Sequence, residues 1–332
     1  MSQAKEFELA GPPTDGITRV AFSRTADPLL IASSWDRHVR LYDVVANQQL
    51  ARFEHRAPVL DCCFGEDQRH AFSGGLDRRV RILDLTTKDE RELGKQDDAV
   101  RSVVYLPQAQ LLATGSWDKT VRLYDTRAAT AETSRTEQPA KVFALDAAGY
   151  TLVAAMAERH VHVYDVRNMS EPMQRRESSL KYQTRAIACM HDGEGYLSSS
   201  IEGRVAVEFF DPSPKSQARK YAFKCHRATV NGVDTVYPVN ALAFHPIHGT
   251  FATGGGDGGV SVWDGMNKKR VTMWTGYPTS VASLAFSSDG RHLAIAASYT
   301  YEEGDKDHPP DTIFIRTLED SDIRPKRPAP GK

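Results

Sequence analysis

Trp35, Arg185, Arg204, Lys224 and Arg227 are the side chains of this 332-residue chain whose types suit a definite chemistry. Guanidinium and ammonium groups grip phosphate or carboxylate through charge-assisted hydrogen bonds, and an indole beside them covers an apolar side chain. Together they would read an acidic or phosphorylated peptide. Trp35 and Arg227 are 192 positions apart, so only a fold that returns its loops to one place could assemble such a site. The same cations also suit ordinary solvated surface or pairing with acidic loops, and the residue types leave that alternative open.

Other chemistries find less support. Gly254-Gly-Gly-Asp-Gly-Gly259 matches G-x-G-x-x-G, but it falls between two strand-like stretches, with no helix N-terminus to receive a pyrophosphate. His245-Pro-Ile-His248 has metal-like spacing without a companion Cys or a catalytic Glu, so packed loop histidines are expected and no metal. A nucleophile elbow and a Walker loop are both missing from the sequence. The expectation is a non-enzymatic protein without a cofactor.

Charge and composition narrow the partners. Lys and Arg number 42 against 43 Asp and Glu, a net charge of −1, so no global field would draw in a bulk polyanion and no direct nucleic-acid partner is expected. The balance is uneven: residues 171–227 hold ten Lys/Arg against seven Asp/Glu. No apolar run approaches the ~18–20 residues that span a bilayer, and the first residues lack a secretory signal. Four cysteines are too few for a disulfide framework. Reduced thiols in a nuclear or cytosolic protein are the simpler reading.

A repeat supplies the positioning elements. A turn with an acidic residue recurs seven residues before an aromatic-or-leucine plus aspartate pair, as in Trp35-Asp36 to Tyr42-Asp43 and Trp117-Asp118 to Tyr124-Asp125. Successive turns, at 36, 77, 118, 158, 202 and 257, are spaced by 41, 41, 40, 44 and 55 residues. Upstream of the turns lie alternating β-branched and aromatic stretches, such as Ile17–Phe22 and Val239–Phe244. A unit of ~40–45 residues ending in a Trp-Asp-like pair is the signature of a four-stranded propeller blade.

Seven units fit, with first strands beginning near 17, 58, 99, 141, 185, 239 and 280. The seventh lacks a fourth strand, and Glu6–Ala10 can donate it, closing the ring without an open edge. The prediction is an all-β, seven-bladed WD40 propeller, monomeric, over residues 6–318, closed by its N-terminal strand. Residues 319–332, basic and Pro-containing, read as a disordered tail. Asp36, Asp77, Asp118 and Asp257 are expected to hold the blade turns, because catalytic carboxylates would not need one copy per blade. In a propeller, the turn between second and third strands and the loop into the next blade open on one face. That rule puts Trp35, Arg185, Arg204, Lys224 and Arg227 on a common face.

Several strings are more specific than a generic repeat. Ser33-Ser-Trp-Asp-Arg-His-Val-Arg-Leu-Tyr-Asp43, Glu177-Ser-Ser-Leu-Lys-Tyr-Gln-Thr-Arg185, Ser200-Ile-Glu-Gly-Arg-Val-Ala-Val-Glu208, Lys220-Tyr-Ala-Phe-Lys-Cys-His-Arg227 and Tyr277-Pro-Thr-Ser280 closely resemble the WD40 family of spindle-assembly-checkpoint proteins, the third of the "budding uninhibited by benzimidazoles" series. The resemblance runs from about Phe7 to Arg316. A sister family of nuclear-pore mRNA-export WD40 proteins shares the Lys-Tyr-Gln and Ser-Ile-Glu-Gly-Arg strings. Asp211-Pro-Ser-Pro214, Tyr237-Pro-Val-Asn240 and a very short N-terminal extension favour the checkpoint branch. The resemblance implies an adaptor in the nucleus, at the kinetochore in mitosis and partly in the cytoplasm. It implies binding to a docking motif of the checkpoint kinase and of its checkpoint-complex relative, and a place in the mitotic checkpoint complex. It further implies recognition of phosphothreonine in Met-Glu-Leu-Thr repeats of the kinetochore scaffold, through Trp35, Arg185, Arg204 and Arg227 with Lys224 beside them.

Overall fold

Seven four-stranded antiparallel sheets stand around a central channel in the computed structural model, which describes residues 5–25, 28–128 and 130–325. Six sheets are continuous in sequence, over residues 17–54, 59–95, 100–137, 142–177, 184–224 and 239–274. The seventh joins Val281–Phe286, His292–Ala297 and Thr312–Thr317 to Glu6–Glu8 from the other end of the chain. Each innermost strand packs on its counterparts in both neighbouring blades, so the ring closes. The chain is nearly all β and forms the seven-bladed propeller that the repeat predicts.

Burial follows from position in the blade. Second strands lie between sheets and are buried almost throughout, as in Leu29–Ser34 and Thr151–Met156, while outermost strands such as Glu90–Lys95 are largely exposed. Small residues on the second strands let the blades approach. A Cβ added to Gly74 or Gly254 would come 2.4 Å from a methyl of Val100 or Val281, the first residue of the next blade's inner strand. That is far inside contact distance, so only glycine fits.

One hydrogen bond repeats in all seven blades and gathers the same segments of each blade on one face. The N–H at the start of each turn between second and third strands donates to the carbonyl just before the same blade's inner strand: Trp35 to Gly16, Leu76 to Pro58, Trp117 to Ala99, Ala157 to Lys141, Ile201 to Gln183, Gly256 to Pro238 and Ser298 to Ser280. These turns and the interblade loops therefore share one face.

The repeated aspartates organise those turns. Asp36, Asp77, Asp118 and Asp257 each accept the backbone N–H two residues on. In the first three blades the carboxylate also pairs with a buried arginine four residues on, Arg40, Arg81 or Arg122, at 2.7–3.1 Å. Blade 6 has Ser261 at that position, and His226 takes the arginine's place at 2.8 Å. His226 continues the chain to Thr253, which also accepts from the Trp263 indole.

Burial pushes the Asp77 carboxyl up, but the His55 ring 3.4 Å away, the Arg79 N–H and the Arg81 charge outweigh it and hold it at about 2, against 3.8 in an unperturbed chain. A value depressed on folding contributes stability above pH ~4 that is lost as the pH falls toward 2. Asp77→Asn is therefore expected to cost about 2 kcal/mol at pH 6 and almost nothing near pH 2. Urea unfolding at the two pH values checks this, and an equal loss at both would count against an ionic role.

The chain departs from expectation at three places. The closing strand pairs over Glu6–Glu8 only, Glu6 opposite Arg316 and Glu8 opposite Phe314. Leu9, still hydrogen-bonded to Ile313, turns into the core at 1% exposure. The segment from 319, read as a disordered tail, begins with a helical turn over Asp320–Ile323. A reciprocal cap between Glu319 and Asp322 holds it, and Ile323 is buried against blades 6 and 7 while its carbonyl accepts from Thr250 at 2.7 Å. One capping pair and one apolar residue outweigh the polar composition that suggested disorder. The remainder of that tail, 326–332, lies outside the described residues. The 55-residue spacing before the sixth turn also has a cause: an extra two-stranded hairpin, Arg227–Val230 with Val233–Val236, between blades 5 and 6.

Candidate functional site

Arg204 opens the third strand of blade 5 and Lys224 closes its outermost strand, and the two are direct cross-strand partners. Like charges facing each other across a ladder repel, so this pair is unfavourable unless an anion lies between or over them. Arg204 is partly buried, and its Nε is buried without a hydrogen-bond acceptor. The nearest carboxylate is Glu202, with Oε2 3.6 Å from that Nε, too long for a hydrogen bond. The Lys224 side chain is exposed and makes no ion pair or hydrogen bond among the described residues.

Arg227 completes the cluster from the interblade loop. Its Nη2 donates to the Glu202 carbonyl at 2.8 Å, which ties the start of the hairpin to the blade 5 turn. Gly203, in that turn, has φ +63°, and a Cβ there would lie 2.7 Å from the Cys225 carbonyl oxygen. The turn and the loop thus need glycine to touch.

Arg185 and Trp35 share the face but not the cluster. Arg185, on the innermost strand of blade 5, donates through Nε and Nη2 to the Asn240 Oδ1 of blade 6, at 3.1 and 2.8 Å. It lines the channel with Arg19, Arg101 and Asp61. Burial pulls its pKa down, partly offset by Glu302. Trp35 stands in the blade 1 turn, 46% exposed, with its indole against Gly16. Blades 6 and 7 separate it from Arg204 around the ring. The predicted residues are therefore one rim cluster (Arg204, Lys224, Arg227), one channel arginine and one distant indole.

Sequence reading missed Asn240 as the partner that orients Arg185, and it took the hairpin for loop. Asn231-Gly232 between valines is a strong hairpin signal that would have found the latter. His245 and His248 stack at 4.8 Å, with the His245 ring bonded to the Gly290 carbonyl and to the N–H groups of Ile247 and His248. They are structural, and among the described residues no group of three metal-type ligands assembles.

A closed ring of seven four-stranded blades with repeated acidic turns defines a WD-repeat propeller. The family model described as "WD domain, G-beta repeat" matches residues 4–43, 47–84, 88–125 and 218–264. A solved structure titled "Structure of U3-55K" superposes with a TM-score of 0.81, covering 95% of this chain and 99% of that one, at 17% identity, which speaks to the fold alone. Curated relatives are far more similar. The mitotic checkpoint protein BUB3.1 of Arabidopsis thaliana is 53% identical over 324 residues, 96% of this chain and 94% of that protein. The Poly(A)+ RNA export protein of Schizosaccharomyces pombe is 35% identical over 337 residues, 99% and 94% of the two chains. The chain belongs to the Bub3 family of mitotic checkpoint propellers.

Proposed function

We propose that this protein is a non-catalytic adaptor of the spindle assembly checkpoint that reads phosphothreonine with the rim of blade 5. The observation that carries the reading is the pairing of Arg204 with Lys224 directly across two strands, with Arg227 adjacent and, among the described residues, no carboxylate in hydrogen-bonding contact with the Arg204 head. A phosphate brings about −1.5 to −2 charges and three acceptor oxygens, enough to relieve the repulsion and form one to three charge-assisted bonds. The expected ligand is the phosphorylated Met-Glu-Leu-Thr repeat of the kinetochore scaffold. Docking motifs of the checkpoint kinase and its relative would run over the same face, past Arg185 and Trp35, and so bring the kinases to unattached kinetochores. A monomeric propeller that is nuclear, and kinetochore-bound in mitosis, fits this role.

The direct test is calorimetric titration with a nonapeptide centred on Met-Glu-Leu-phosphothreonine and with its unphosphorylated twin. The phosphorylated form is expected to bind at least about thirtyfold more tightly, from two charge-assisted hydrogen bonds of roughly 1–1.5 kcal/mol each. Equal affinities would sink the reading.

A second reading rests on the resemblance to the RNA-export relative, which shares nearly the whole chain at lower identity. It predicts single-stranded RNA binding that weakens steeply as salt rises, a behaviour that the near-neutral charge of the chain disfavours.

A further inference from the structure

The hairpin between blades 5 and 6 has a well-matched turn and, among the described residues, no third strand beside it. Asn231 and Gly232 have φ of +51° and +78°, the double left-handed geometry of a type I′ turn, whose twist matches that of the strands it joins. The register is regular: Val230 opposite Val233, Thr229 opposite Asp234, Ala228 opposite Thr235 and Arg227 opposite Val236. Among the described residues neither strand pairs with anything else. Val230, Val233 and Val236 are 43%, 65% and 41% exposed.

Two-stranded ribbons are marginal in water, and exposed β-branched edges invite a third strand. Neither strand carries the Lys or Pro that commonly blunts an edge, and Asp234 is the one acidic residue. Residues flanking a two-residue turn exchange both their hydrogen bonds, so Val230 and Val233 face inward. Thr229 and Asp234 then point their N–H and C=O outward, on opposite edges. The first strand starts at Arg227 itself. Arg227 and Thr229 project from the same face of the ribbon, two residues and about 7 Å apart. Its outer edge therefore leads away from the cation cluster of Arg204, Lys224 and Arg227.

We propose that the outer edge of Arg227–Val230 is a main-chain docking strip, on which an extended phosphorylated segment adds as a third strand while its phosphate engages the cations at the hairpin base. This rests on the phosphothreonine reading above and extends it: side-chain charge selects the phosphate, and backbone pairing supplies affinity that does not depend on the neighbouring sequence.

Proline tests the edge without touching the cations, since Thr229→Pro removes one outward N–H at an edge position where proline is tolerated. The probe is the same Met-Glu-Leu-phosphothreonine nonapeptide, titrated into wild type, Thr229→Pro and Asp234→Pro, the last making the equivalent change on the opposite edge. Expected are an affinity about tenfold lower for Thr229→Pro, from one lost hydrogen bond and its neighbour, and no change for Asp234→Pro. Slowed amide exchange at Thr229 in the wild-type complex, but not at Asp234, is the second expected readout. Unchanged affinity in Thr229→Pro, or equal losses in both variants, overturns the docking strip while leaving the phosphate reading intact. Wild type that binds both peptide forms equally overturns the reading and the strip together.

Discussion

Arg204→Glu is expected to abolish phosphothreonine-peptide binding, lowering affinity by at least about a hundredfold. Losing one partner of a desolvated, hydrogen-bonded charge pair costs 2–5 kcal/mol, and reversing its sign adds repulsion toward the phosphate. Arg204→Lys keeps the charge but loses the planar fork, so an intermediate loss of about tenfold is expected. Stability should stay nearly unchanged. Arg204 faces Lys224 across the ladder, and its Nε is buried without an acceptor. Replacing it with Glu turns the repulsion toward Lys224 into attraction but sets a second carboxylate beside Glu202, so resistance to urea should change little. Arg81 offers the contrast. It pairs with Asp77 at 3.1 Å and with Glu90, and it is buried, so Arg81→Ala should lower stability and spare binding. Calorimetry with the phosphopeptide, beside urea unfolding of the same variants, separates the two kinds of arginine. Parallel loss of binding and stability in Arg204→Glu would mark it as structural.

The second large effect concerns ring closure. Removing residues 1–9 is expected to destabilise the propeller by more than 3 kcal/mol and to make it aggregate on warming. Leu9 is 1% exposed in the cluster with Ile17, Val20, Ile313 and Ile315, and truncating a buried leucine alone costs ~2–5 kcal/mol. Glu6 holds Arg316 at 2.9 Å and accepts from the Tyr277 hydroxyl at 2.7 Å, so the strand also links blade 7 to the loop entering it. Without it, Thr312–Thr317 becomes an open edge, a template for pairing with another chain. Leu9→Ala in the intact chain isolates the packing contribution. Urea unfolding and light scattering against temperature measure both, and a truncated chain as stable as the full one would refute closure by this strand.

Much of this architecture was legible in one sequence because its determinants are local and repeated. In blades 1, 2, 3 and 6 the acidic turn fixes a sharp chain reversal through the hydrogen bond to the N–H two residues on, and that needs only neighbouring residues. The β-branched and aromatic residues of Ile17–Phe22 declare a strand without reference to its partner. Where the pattern is interrupted, legibility fell. The helical turn at Asp320–Ile323 depends on Ile323 finding a hydrophobic seat between blades 6 and 7, which composition does not reveal. The hairpin after Arg227 carried its own local signal in Asn231-Gly232 between valines, but an irregular unit spacing obscured it.

For the cationic face, sequence determined the inventory: which cations exist, that they lie in or beside turns and interblade loops, and that a propeller sends all such segments to one side. Tertiary structure decided the grouping. Arg204 and Lys224 meet because the register of two strands puts them opposite each other, a matter of single-residue alignment. Arg185 was turned to Asn240 of the next blade, and Trp35 was left beyond blades 6 and 7. Local propensity sets where a residue stands along its own strand. Which charges become neighbours depends on how strands align and how blades stack, and those are fixed only when the ring closes and its core is packed.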